Sequence, residues 1–274
     1  MAENGASAKR TSSDSSSSPS VPREGVPCWV DAQLSDVEAG RRFYGELFGW
    51  TFHDAGGAGE AGEADDAGRT GTAGEAGEGF VWARLDGEPV AALVRKTDGR
   101  MPTVWSVYFH TPDARALAGR IRAGGGQIVT PPHPLGTLGT TALAADPEGA
   151  VFALWQPDGH TGFGRRRVPG AFAWAELYTR DTEAANVFYG DLFHDALFGP
   201  EASPDFGRAP VTDVFAAEMP PHFLVHFLVE DAEAALGTVT RLGGRVRVPP
   251  FETSYGGVAV VSDDQGASFA LLQR

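Results

Sequence analysis

The chain of 274 residues has one cysteine, two lysines and no apolar run that could cross a bilayer. A single thiol, Cys28, excludes an internal disulfide and has no neighbours in sequence with which to build a zinc site. It reads as a small buried strand residue. The longest apolar runs, VAALV from Val90 and AVFALW from Ala150, fall far short of the roughly 20 residues a spanning helix needs. The amino terminus is Ser-rich and lacks the apolar core of a secretory signal. The expected location is cytoplasmic, with no membrane partner. Basic clusters are also scarce: Arg165–Arg167 is the one basic run, so the clustered positive face of a nucleic-acid binder is missing. Its Gly-rich surroundings make that run a solvated linker. Many arginines against Lys9 and Lys96, with abundant Ala and Gly, fit a GC-rich bacterial genome.

What the chain does have is acid, for a formal net charge of -14. Residues 54–79 carry seven acids and one Arg, with almost no large apolar side chains, which predicts a solvated, mobile loop. GAGEAG at Gly57–Gly62 within it matches the dinucleotide pattern GxGxxG. Neither the strand nor the amphipathic helix that would place a pyrophosphate flanks it, so the match carries no function.

A repeat organises the remainder. FYGELFGW from Phe43 returns as FYGDLF from Phe188; WVDAQLSD (Trp29–Asp36) returns as WAELYTRD (Trp174–Asp181); SVYFHTPD (Ser106–Asp113) returns as LVHFLVED (Leu224–Asp231). ADPEGAVFALWQ from Ala145 has its counterpart in DDQGASFALLQ from Asp263. Such self-similarity predicts a disordered tail over 1–24, one domain over 27–159, a linker over 160–167 and a second copy over 168–274.

Each copy divides again into two βαβββ modules, an α+β fold. Trp29–Leu34 alternates as a strand; Ser35 or Asp36 caps a helix with Val37, Phe43, Leu47 and Phe48 on one face, and Gly49 ends it. The next module starts at Trp105, has a helix capped near Asp113 and ended by Gly124–Gly126, and adds strands near Gln127, Thr140 and Val151. The FYG phrase is therefore helix-to-sheet packing in both copies. The stretch between Phe198 and Pro220 is short, and predicts one missing or irregular strand in the second copy.

A strand, an acidic cap, FYGELFGW and a later DPEGAVFALWQ resemble the vicinal oxygen chelate superfamily, the glyoxalase/bleomycin-resistance/dioxygenase proteins. The tandem form is similar to two-domain bacterial members often labelled hydroxylases. The resemblance implies paired modules that cup a small molecule, and a pseudo-dimer within one chain. It leaves the reaction open, because isomerases, dioxygenases, thiol transferases and drug-sequestering proteins share the fold. It also implies a divalent metal held seven residues before each capping acid and four after the Gly of the DPxG motif. Here those positions hold Trp29, Ser106 and Ala153, then Trp174, Leu224 and Ala270, which are poor ligands or none. The expectation is no metal and no cofactor.

Strand parity then assigns the inner wall. Val30, Ala32 and Leu34 go under the helix, while Trp29, Asp31 and Gln33 face the cup. Ser106, Tyr108 and His110 join them, and Val151, Ala153 and Trp155 complete the wall. In the second copy the set is Trp174, Glu176 and Tyr178 with Leu224, His226 and Leu228. Candidate catalytic residues are His110, His226, Asp31 and Glu176; candidate substrate contacts are Trp29, Gln33, Tyr108, Trp155, Trp174 and Tyr178. Asp31 beside His110 would be a base oriented by a carboxylate, while as a plainer alternative each histidine is a hydrogen-bonded core residue and each carboxylate pairs with an arginine. His53, His133, His160, His194 and His222 are given no chemistry. Two functions stay open: a metal-independent tailoring or detoxification enzyme for an aromatic or polyketide-like compound, or a protein that sequesters such a compound unchanged.

Overall fold

The computed structural model describes residues 22–54, 80–199, 202 and 205–274. The acidic 54–79 stretch lies outside the described residues from 55 onward, as does the tail up to residue 21. Glu24 is held, accepting a hydrogen bond from Thr111 Oγ1 at 2.6 Å and pairing with Arg120.

The first half runs β1 (Pro27–Leu34), α1 (Val37–Phe48), β2 (Thr51–Asp54), β3 (Phe80–Leu85), β4 (Glu88–Arg95), β5 (Val104–His110), α2 (Ala114–Ala123), β6 (Gln127–Leu135), β7 (Gly139–Ala145) and β8 (Val151–Pro157). It forms an eight-stranded sheet ordered β2-β3-β4-β1-β5-β8-β7-β6. Asp36 caps α1 by accepting from Ala39 N, and Gly49 ends it at φ 73°, a left-handed conformation that favours glycine. Asp113 caps α2 in the same way. The central β1 and β5 run antiparallel, each flanked by the parallel last strand of its own module, β4 and β8.

The second half runs β9 (Phe172–Thr179), α3 (Thr182–Phe198), β10 (Phe206–Pro210), β11 (His222–Leu228), α4 (Ala232–Arg241), β12 (Arg245–Thr253), β13 (Gly256–Ser262) and β14 (Ser268–Gln273). Its sheet has six strands, ordered β10-β9-β11-β14-β13-β12. The single missing strand expected from sequence is corrected: among the described residues this half has two strands fewer. Its first module is βαβ: α3 runs on past a non-helical Phe193 (φ -130°, ψ 34°) to Phe198, and β10 is the strand described between it and β11. β10 pairs parallel with β9, as β4 does with β1.

One continuous hydrophobic core joins the halves. Val30, Ala32, Leu34, Val107 and Phe109 sit in it with Val225, Phe227, Phe269 and Leu271. The FYG phrase packs across this junction as well as onto its own sheet. Phe43 meets the Phe269 ring at 6.5 Å, Phe48 meets Phe227 at 4.9 Å, and Tyr44 donates to Asp263 Oδ2 at 2.8 Å. Tyr189 donates to Asp146 Oδ2 at 3.1 Å, the same contact in reverse. Each aspartate also accepts from the backbone of its own DPEG or DDQG turn.

Arg165–Arg167 stay largely solvated, with side chains 38–41% exposed, and are ion-paired as well. Arg165 pairs with Asp86, while Arg166 and Arg167 both pair with Asp205, which is only 1% exposed. A buried carboxylate left alone would be costly, and the two guanidinium groups supply its counter-charge. No helix among the described residues is long and apolar enough to cross a membrane.

Candidate functional site

Several of the expected wall residues pack in two small clusters apart from the main core. Trp29 clusters with Cys28, Ala92 and Trp155, away from the main core, and Tyr108 packs against them. In the other half Tyr178, Leu224 and Ala270 form a separate cluster with Trp174 and Leu228 packed on it. Val151, expected in the first wall, is instead exposed at the start of β8.

The first cup is filled by the chain's own side chains. His160, given no chemistry from sequence, inserts its ring 4.5 Å from Trp29 and 4.6 Å from Trp82. Trp155 Nε1 donates to the His160 carbonyl at 2.8 Å, and Phe163 packs 5.6 Å from Trp29. Backbone bonds from Phe163 N to Cys28 O (2.9 Å) and from Gly164 N to Pro89 O (2.8 Å) fix the connecting stretch over β1 and β4. Burial holds the His160 imidazole down at a pKa of about 4, so it is neutral.

Asp31 and His110 do not meet as a dyad. Asp31 accepts from the Tyr108 hydroxyl and, at 3.2 Å, from Gln33 Nε2. Burial raises its carboxyl above the usual range, against those hydrogen bonds, and raises the Tyr108 phenol as well. His110 stands at the end of β5, buried under the Arg23–Val26 segment: Gly25 N donates to its carbonyl at 2.8 Å and its own N–H donates to Val26 O at 3.0 Å. Burial lowers its pKa.

The second cup keeps polar groups together on one wall. Trp174 Nε1 donates to Glu176 Oε2 at 2.7 Å, and the Tyr255 hydroxyl donates to the same oxygen at 3.2 Å. Burial raises the Glu176 carboxyl toward its neutral form, with these two donors opposing. His226 lies across the strand boundary from Trp174 and is fully buried. Its Nδ1 is 3.2 Å from Leu224 O. A carbonyl only accepts, so Nδ1 carries the proton and Nε2 presents a bare lone pair. That Nε2 is buried with no hydrogen-bond partner. Desolvation pushes the ring down to a pKa of about 4. Tyr178 packs against Phe215 (4.9 Å) and His222 (5.7 Å) at the other end of the wall.

Sequence reasoning missed Trp82, His160, Phe215, His222 and Tyr255. Trp82 alternates with Val81 and Ala83 on β3 and was open to the same parity argument. His222 opens β11, and the same alternation puts it on the face of Leu224 and His226; His160, Phe215 and Tyr255 come from connections and a tight turn, where no period assigns a face.

The positions where a metal would be held do not fit one. Trp29, Ser106, Ala153, Trp174, Leu224 and Ala270 offer no imidazole, carboxylate or thiolate. Among the described residues no group of three or more His, Cys, Asp or Glu could hold a metal ion. A cavity of about 730 Å³ lies elsewhere, between Arg23, Glu24, Arg120 and residues 191–195 of α3, and shares no residue with either cup.

Residues 29–154 match the family model described as Glyoxalase/Bleomycin resistance protein/Dioxygenase superfamily. "Putative glyoxylase CFP32" of Mycobacterium tuberculosis (strain CDC 1551 / Oshkosh) is 32% identical over 269 residues, spanning 92% of this chain and 95% of that protein. The chain belongs to the glyoxalase/bleomycin resistance/dioxygenase superfamily. A second relative, "Anthracycline biosynthesis protein DauV" of Streptomyces sp. (strain C5), is 32% identical over 282 residues, 91% of this chain and 93% of that one. Among solved superfamily structures, the 2,3-dioxygenase LapB from Pseudomonas sp. KL28 superposes with a TM-score of 0.59 at 14% identity, over 92% of this chain and 93% of that chain. That likeness shows the fold of the superfamily and nothing of the reaction.

Proposed function

We propose that this chain is a metal-independent tailoring or detoxification enzyme acting on an aromatic or polyketide-like compound, with the second cup as its site. The observation that carries the reading is the His226 lone pair, buried beside Glu176 on a wall otherwise built from Trp174, Tyr178 and Tyr255. Indole and phenol rings suit a planar ligand, and the two titratable groups are pushed in opposite directions, the imidazole toward a bare base and the carboxyl toward its acid. His226 Nε2 would take a proton from the ligand, and Glu176 would hold or return one. The first cup, filled by His160 and Phe163, would be scaffold, with Asp31 holding the Tyr108 hydroxyl and His110 the end of β5. The Streptomyces relative named for anthracycline biosynthesis supports the class of compound.

His226 is fully buried, so access requires the cover over the cup to move. The Tyr255 ring, 6.4 Å from the imidazole and carried on the β12–β13 turn, is the group placed to move. A second reading, sequestration without chemistry, is favoured by the aromatic character of the wall and by the lack of a hydrogen bond between Glu176 and His226.

Incubation with a panel of aromatic polyketides, followed by mass spectrometry, separates the two. A chemically altered product, formed equally with and without chelator and lost in folded His226→Ala and Glu176→Gln variants, is the expected result. Turnover that survives in both variants would remove these residues from the mechanism. Compound recovered intact, with tryptophan emission quenched, would establish the sequestering role instead.

A further inference from the structure

The two cups share one register, so they can be read against each other. In the first, Trp29 pairs with Tyr108 and Asp31 with Ser106; in the second, Trp174 pairs with His226 and Glu176 with Leu224. Tyr108 and His226 thus occupy equivalent positions, and so do Asp31 and Glu176. In the first cup the Tyr108 phenol spans the gap and donates its proton to Asp31. In the second cup the shorter imidazole leaves that donor missing. His226 Nε2 is a buried acceptor without a donor, and Glu176 Oε2 is engaged by Trp174 and Tyr255 rather than by the residue at the His226 position.

We infer that the second cup takes a ligand bearing a phenolic hydroxyl, which lies between His226 and Glu176 where the Tyr108 phenol lies in the first cup. The phenol donates to His226 Nε2, and its oxygen accepts from the Glu176 carboxyl. The raised pKa of that carboxyl supports its role as a donor. Tyr108 is then a built-in copy of the ligand group, and the first cup is permanently satisfied by it. The inference rests on the reading of the second cup as the ligand site, and names the group that the site selects.

The test uses the full chain and three probes: 2-hydroxyanthraquinone, 2-methoxyanthraquinone and unsubstituted anthraquinone. Affinity is measured by calorimetry and by quenching of the Trp174 emission, taken as the difference from a Trp174→Phe variant. The phenol should bind at least about tenfold tighter than the other two, the scale expected for supplying a donor to a buried, unpaired acceptor. In His226→Leu that preference should shrink to about threefold or less. In His226→Tyr, which recreates the first cup, the phenol should lose its advantage while the protein stays folded, because the fold already carries tyrosine at this position in its other copy. Equal binding of phenol and ether, with the quench intact, would overturn this inference and leave the aromatic-ligand reading standing. Failure of all three probes to bind would overturn both.

Discussion

The Tyr44 hydroxyl donates to Asp263 Oδ2 at 2.8 Å, joining the helix of one half to the last turn of the other, and Trp105 Nε1 donates to the same hydroxyl at 3.0 Å. All three groups are buried. Tyr44→Phe keeps the ring and removes the oxygen, which strands a carboxyl and an indole N–H. We expect a loss of about 2–3 kcal/mol in denaturant unfolding. Tyr189→Phe, which strands Asp146 alone, should cost less, about 1–2 kcal/mol. Losses within error of zero for both would mean that ring packing alone holds the halves together.

The His226 pKa of about 4 predicts a pH signature in stability. The ring titrates near 6.5 in the unfolded chain, so between about 6.5 and 4 the unfolded state binds more protons and stability falls as pH is lowered. The slope is up to about 1.4 kcal/mol per pH unit. Glu176 acts with the opposite sign: its raised carboxyl contributes stability below the ordinary carboxylate range that is lost as pH rises through the folded value. Comparing wild type with His226→Leu leaves the Glu176 contribution in both curves. The variant should show the flatter acid limb, and identical slopes would mean that the ring is charged in the folded protein.

His160 serves the first cup as a packing residue. His160→Ala removes the ring between Trp29 and Trp82 and should cost about 2 kcal/mol, with a change in tryptophan emission. His160→Phe restores the ring and removes a buried unpaired nitrogen, so it should unfold within about 1 kcal/mol of wild type. Ligand binding in the second cup should be the same in both variants; a large loss would show that the two cups act together.

Gly207 gives the second cup its depth. A Cβ there would fall 2.7 Å from Glu176 Oε1 and 2.7 Å from Trp174 Cζ2, so both side chains would have to shift. Gly207→Ala should cost about 1–3 kcal/mol of stability by overpacking. It should also weaken binding of aromatic probes by more than tenfold at a temperature where the protein stays folded. Unchanged affinity would place the ligand away from Glu176.

Much of the architecture is legible in local order. The repeated phrases mark the two halves, Asp36, Asp113, Asp181 and Asp231 each cap a helix as their positions dictate, and the period-two alternation of β1 turns Trp29 inward and Val30 to the core. The same alternation carries Trp174, Glu176 and His226 to one wall of the second cup. These features depend on neighbours a few residues apart, where the backbone period fixes which way a side chain points. The occupant of each cup depends on distant chain. His160 enters the first from a connection, Tyr255 enters the second from a hairpin turn, and Tyr44 finds Asp263 across 219 residues. No period governs those approaches, so only the tertiary packing decided that one cup is filled and that the other holds a buried base without a partner.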